Sequence, residues 1–228
     1  LLRRRNDMKQ RVFDYSFLAI GLLVQVITFW IANRYLTTTN HQTWLSLLSG
    51  CLGICSVCLA SQGNILTYAF GFAQVGTYMI LVIANRLLGQ VALNVFYLIT
   101  MIYGVYVWRQ RLHENSRTVT PRRLSLRMII LIGVAMLLFS ALAGWGLSTW
   151  IGNPQPYLDA FTSIPALVAQ VLMILAFREH WFIWLAVDIL NVILWLRVGD
   201  YCMAAQYIFW CANCIYGLNR WNSIASEA

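Results

Sequence analysis

One carboxylate, Asp188, lies deep inside a membrane-length apolar run, with indoles and an amide at helical spacing around it. Trp181, Trp184, Asp188, Asn191 and Trp195 are three or four residues apart, which at about 100° per residue gathers them within an arc of roughly 80° on one helix face. Burying a charge among lipid tails costs several kcal/mol, so such a residue faces a cavity or a partner. Indoles stack on flat rings and attract cations, and an amide donates and accepts at once. The chemistry of the stripe is therefore binding of a polar, aromatic solute. Three further runs carry comparable stripes: Gln206, Trp210, Asn213 and Gly217; Gln90, Asn94, Tyr97, Met101 and Gly104; and Asn64, Tyr68, Gly71 and Tyr78, with Gln74 to one side.

The elements that must position these side chains are membrane helices. Sixty per cent of the 228 residues are hydrophobic and only 11% charged, which excludes an ordinary soluble domain. A bilayer span needs about 20 mostly apolar residues. Eight such stretches are expected, near 15–33, 43–60, 65–84, 88–108, 128–150, 157–177, 181–198 and 201–220. The runs are continuous rather than alternating, which excludes a β-barrel. The fold class is all-α integral membrane protein.

The net charge of +8 reads as topology rather than as affinity for nucleic acid. With a cytoplasmic N-terminus, 13 of the 16 basic residues fall inside, and only Arg34, Arg86 and Arg197 fall outside, as short loops require. Eight spans return the C-terminus to the cytoplasm. The first apolar run is too long for a signal peptide, although the sequence opens on Leu1 rather than Met. Cys51, Cys55 and Cys58 in the second span, and Cys211 and Cys214 in the eighth, read as small packing residues rather than a metal or disulfide framework.

A weak repeat organises the chain. Tyr103-Gly104-x-x-x-Trp108 returns as Tyr216-Gly217-x-x-x-Trp221, and the same offset of 113 carries Tyr97 onto Trp210. Three helices repeated in the same orientation require an inverting helix between them, giving a 3+1+3 parallel-repeat core plus an extra N-terminal helix. The expected units are 1–41, a basic N-terminus and extra helix; 42–110, the first three-helix bundle; 111–150, a cytoplasmic linker and inverting helix; and 151–228, the second bundle and tail. Within the linker, 109–127 reads as a solvated or headgroup-resting segment. Asn153-Pro154-Gln155-Pro156 reads as a stiff turn.

Bland roles compete with the binding reading. Trp30, Trp44, Trp108, Trp145, Trp150 and Trp221 are expected as interface anchors, Arg178 and Glu179 as a surface pair, and His180 as an interfacial histidine. Gly63, Gly71, Gly89, Gly104, Gly199 and Gly217 are candidate close-packing or hinge positions. Hydrolase, zinc-protease and phosphate-loop motifs are missing from the sequence, and its one lysine, Lys9, precedes the spans, which excludes a retinal-type photoreceptor. The expectation is a transporter without catalytic residues, metal or cofactor.

The run Glu179-His180-Trp181-x-x-Trp184-x-x-x-Asp188, with Gly199-x-Tyr201 and Tyr216-Gly217, resembles the vitamin transporters of the PnuC type. Gln62-Gly63-Asn64, Tyr68-x-Phe70-Gly71, Asn94-x-x-Tyr97 and Tyr103-Gly104 fit the same pattern, and the resemblance spans about 45–221. His180 departs from it, standing where an asparagine is expected. The resemblance implies a fold similar to the SWEET sugar transporters. It also implies nicotinamide riboside as solute, facilitated diffusion across the bacterial inner membrane, trapping by an intracellular kinase, and assembly of identical copies, a trimer being one candidate. Carried onto this chain, Trp181, Trp184 and Asn191 hold the solute from one repeat and Asn94 and Tyr97 from the other. With the stripes, the candidate site is Tyr68, Gln90, Asn94, Tyr97, Trp181, Trp184, Asp188, Asn191, Gln206, Trp210 and Asn213. The alternatives are a proton-coupled carrier, a riboflavin or thiamine carrier, and a vitamin-capture subunit of an ATP-driven transporter.

Overall fold

A computed structural model describes residues 2–35, 44–84, 88–111, 119–151 and 156–227. They form eight α-helices: α1 (Leu2–Tyr35), α2 (Trp44–Ser61), α3 (Thr67–Ala84), α4 (Leu88–Gln110), α5 (Leu126–Gly146), α6 (Pro156–Ile174), α7 (His180–Val198) and α8 (Tyr201–Glu227). A π-helical turn, Leu147–Ile151, extends α5. Seven helices, α1 to α7, are long and apolar enough to cross a membrane. The eighth differs for a physical reason. It is 27 residues long, enough for about 40 Å, but it turns buried Gln206 and Asn213 inward and ends in a polar stretch around Asn219, Arg220 and Asn222. Polar side chains that face protein lower a helix's apolarity without exposing anything polar to lipid.

The packing obeys the repeat. α2 lies against α3 and α8, α4 against α3 and α6, and α7 against α6 and α8, which closes a ring of six helices. Shifting by 113 residues converts the α2–α8 contact into the α6–α4 contact. Outside the ring, α1 packs on α2 and α8, while among the described helices α5 packs on α6. The first turn of α5 is held by Ser125, whose hydroxyl accepts from the Met128 amide at 3.4 Å.

Hydrogen bonds repeat at the same offset. The turn after α2 places Gly63 at φ 66°, and the turn after α6 places Ala176 at φ 60°. The Gly63 amide donates to Ala60 O and that of Ala176 to Met173 O, each at 2.9 Å. The Trp108 indole donates to Met173 O at 3.2 Å, and the Trp221 indole donates to Ala60 O at 3.0 Å. Each repeat thus ends in an indole that satisfies a carbonyl at the turn of the other. This corrects the anchor role expected for these two residues: both are fully buried, whereas Trp30, Trp44, Trp145 and Trp150 are exposed.

Glycine permits the closest approaches. A Cβ on Gly104 would come 2.5 Å from the Tyr68 hydroxyl, and one on Gly217 would come 2.6 Å from the Trp181 ring. Tyr68 and Trp181 are again 113 apart. The described part of the linker is not a freely solvated segment either, since Val119 and Pro121 are buried. Arg178 and Glu179 do pair, at 3.2 Å. Glu179 also accepts from the Leu124 amide at 3.1 Å, and Arg178 donates to Asn222. His180 is fully buried rather than interfacial, with Nδ1 2.6 Å from Phe177 O and its ring 4.4 Å from Trp181. Asn153, Pro154 and Gln155 of the stiff turn lie outside the described residues, as does the surrounding of Gly89.

Candidate solute-binding site

The six-helix ring encloses a cavity reached by side chains of α2, α3, α4, α6, α7 and α8. The space open to water centres is about 140 Å³, room for about ten waters, or one nucleoside-sized solute. Ten of the eleven side chains singled out by the helical stripes line it: Tyr68, Gln90, Asn94, Tyr97, Trp181, Trp184, Asp188, Asn191, Trp210 and Asn213.

Each stripe is positioned by its helix. On α7, Trp184 reaches the Tyr97 ring of α4 with centroids 6.2 Å apart. Trp181, one turn nearer the linker, meets Trp221 edge-on at 5.8 Å. Asp188 is 2% exposed, and one carboxylate oxygen accepts from the Cys214 thiol at 3.4 Å. Asn191 donates its amide to Val187 O at 2.9 Å, and Asn94 donates to Gln90 O at 2.7 Å, each within its own helix. Asn213 donates across to Val57 O of α2 at 3.1 Å. On α8, the Trp210 ring lies edge-on to Tyr207 at 4.8 Å.

These bonds leave one set of polar atoms without a protein partner. Tyr68 Oη, Trp181 Nε1, Asp188 Oδ1, Asn191 Oδ1, Trp210 Nε1 and Asn213 Oδ1 are buried, belong to cavity-lining residues and make no hydrogen bond within the protein. A buried polar atom left unpaired costs about 1–3 kcal/mol. Six of them, carried by residues around one space and with donors and acceptors mixed, match a solute that carries both. The lining includes one carboxylate, Asp188, and no arginine, lysine or histidine among the described residues.

Gln206 is the correction. It is fully buried but does not line the cavity, because α8 turns this position toward α2. A Cβ on Gly53 would come 2.6 Å from its Nε2, so the absence of a side chain at 53 is what admits the amide. Sequence reasoning also missed lining residues on α6, namely Thr162, Ala166 and Gln170. Their spacing of four was the available signal; Gln170 donates to Thr100 at 3.5 Å. Tyr78 and Tyr207 line the cavity as well, their hydroxyls 3.3 Å apart.

A sequence profile of the nicotinamide mononucleotide transporter family matches residues 43–223, from the start of α2 almost to the end of α8. The chain belongs to that family. Among relatives, it is 29% identical to the nicotinamide riboside transporter PnuC of Haemophilus influenzae over 94% of this chain and 92% of the other. It is 28% identical to the PnuC of Neisseria mucosa, over 94% and 82%. A crystal structure of the vitamin B3 transporter PnuC is similar over 94% of this chain and 92% of that one, with a TM-score of 0.79 at 28% identity. The PnuC resemblance read from the Trp-x-x-Trp-x-x-x-Asp run therefore holds, and so do the multi-pass all-helical fold and the assignment as a transporter rather than an enzyme. The profile begins after α1, consistent with a first helix added to the seven-helix core.

Proposed function

We propose that this family member carries nicotinamide riboside, the solute named for its PnuC relatives, by facilitated diffusion across the bacterial inner membrane. The observation that carries the reading is the charge of the cavity lining: one carboxylate with a free oxygen and, among the described residues, no basic side chain. Nicotinamide riboside is a pyridinium cation with a carboxamide and a ribose. A cation beside Asp188 is attracted by about 3 kcal/mol at about 5 Å and an effective dielectric near 20. The mononucleotide in the family's description carries a phosphate as well, and a dianion in this lining meets a carboxylate and no counter-charge. The riboside is the better fit.

In this reading Trp184, Trp181 and Tyr97 take the aromatic ring, and Asp188 faces its charge. Asn191, Asn94, Gln90, Asn213, Trp210 and Tyr68 supply hydrogen bonds to the carboxamide and ribose. The two bundles rock around this fixed site to expose it to each side in turn. The positive-inside bias assigns the linker end and both termini to the cytoplasm, where phosphorylation by a kinase would remove free riboside and keep flux inward. Assembly as a homo-oligomer, with a trimer as candidate, belongs to the same reading.

Proteoliposomes of the purified chain test it. Saturable, gradient-driven uptake of nicotinamide riboside, with mononucleotide, riboflavin and thiamine at least tenfold slower, is the expected result. Equal or faster uptake of the mononucleotide would overturn the charge argument. The free oxygen of Asp188 also favours a second reading, proton coupling, which predicts uptake that accumulates riboside against its gradient when an inward proton gradient is imposed.

A further inference from the structure

The linker between the bundles reads in the sequence as a solvated or headgroup-resting segment, yet its described end crosses the turns of both repeats. The Val119 amide donates to Gly63 O at 2.9 Å, on the turn after α2. Three residues on, the Arg122 amide donates to Ala176 O at 2.6 Å, on the equivalent turn after α6, and the Arg178 amide donates back to Arg122 O at 3.0 Å. Val119 is fully buried in the same apolar cluster as Tyr68, Trp108, Trp181 and Trp221. Tyr68 and Trp181 line the cavity from that side, so this cluster is what separates the cavity from the linker end.

The two attachments are unequal. Toward the second repeat the segment has a two-bond bridge, the Arg122 guanidinium 4.7 Å above the Phe177 ring, and the Leu124 amide on Glu179. Toward the first repeat, among the described residues, it has one backbone bond and the Val119 side chain. If the bundles rock apart at this end, the weaker attachment parts first.

We propose that residues 119–124 form a strap that moves with the second bundle, and that Val119 on the Gly63 turn is the latch of the cytoplasmic gate, released each time the cavity opens to the linker side. In its use of riboside flux as a readout the inference rests on the function proposed above. The latch itself does not depend on the solute's identity.

The test is a pair of disulfides. A Cβ on Gly63 would lie 3.6 Å from Val119 Cγ1 with nothing closer than 3.5 Å, within reach of a disulfide. Ala176 holds φ 60° at the equivalent position, so a side chain is tolerated in such a turn. Gly63→Cys with Val119→Cys locks the latch; Arg122→Cys with Phe177→Cys, a directly bridged pair, locks the strap to the bundle it already follows. On oxidation in proteoliposomes, riboside flux through the first pair is expected to fall at least tenfold and to return on reduction, with riboside binding in detergent within twofold. Flux through the second pair is expected to stay within twofold. Undiminished flux through the oxidised first pair, or equal loss in both pairs, would overturn the latch.

Hydrogen exchange of the unmodified protein tests it without any solute. After correction for intrinsic rates, the Val119 amide is expected to exchange at least tenfold faster than those of Arg122 and Arg178. Equal protection of the three would overturn the proposal even if riboside is carried, and faster Val119 exchange would support it even if riboside is not the solute.

Discussion

The two repeats share a skeleton and divide the chemistry. Positions 113 apart match where the bundle is held together: Trp108 with Trp221, Gly104 with Gly217, Gly63 with Ala176. They diverge where the cavity is lined. Trp184 stands opposite Gly71, Asp188 opposite Val75, and Trp181 opposite Tyr68. A duplicated scaffold keeps the geometry that the proposed rocking of the two bundles needs. Only the cavity face is then free to become asymmetric, as an asymmetric solute requires. The second repeat holds the indoles and the acid, and the first holds smaller or neutral groups around the same space.

The shared skeleton can be broken most severely at its glycines. Gly217→Val forces a side chain into the Trp181 ring at 2.6 Å and Gly104→Val into the Tyr68 ring at 2.7 Å, and overpacking of this kind costs about 1–3 kcal/mol or more. Both variants are expected to lose most of their folded yield by size-exclusion profile, to similar extents. The asymmetry is sharpened next by Trp184→Ala, which is expected to weaken riboside binding at least tenfold by titration calorimetry. Val75→Ala, at the position matching Asp188, is expected to change it less than threefold.

Smaller and paired effects are expected from Trp108→Phe and Trp221→Phe. Each removes one of two donors to a turn carbonyl that keeps its bond from the turn amide, a net loss of about 0.5–1.5 kcal/mol, so their melting temperatures should fall by matching amounts; a large fall in one alone would show that the repeats are not equivalent supports. The smallest effect is expected from Gln206→Leu. It disturbs packing against Gly53 rather than the cavity, so riboside uptake should stay within about twofold of the unmodified chain.

Much of this arrangement was legible in the sequence because membrane helices expose their period. The stripes on α4, α7 and α8 name cavity residues because a polar side chain in an apolar run has few other places to go. The Tyr-Gly-x-x-x-Trp recurrence revealed the repeat. What a period cannot give is the rotation of a helix against its neighbours. Gln206 and Trp210 share an arc and both reach Gly53 of α2, yet only Trp210 also lines the cavity. Nor can local pattern distinguish an indole at the lipid interface from one bonded to a carbonyl more than sixty residues away, which is why Trp108 and Trp221 were misread. The strap escaped notice for the same reason: its bonds run between backbone groups of distant turns and leave no mark in side-chain composition.

Whether the second repeat's carboxylate selects a cationic ring is best measured with two solutes that differ in that charge. Affinities for nicotinamide riboside and for its reduced, uncharged dihydropyridine form should be measured by calorimetry on the unmodified chain and on Asp188→Asn. The unmodified chain is expected to prefer the cation by tenfold or more, and Asp188→Asn to reduce this preference to less than about threefold without loss of affinity for the neutral form. The same preference in both proteins would contradict it.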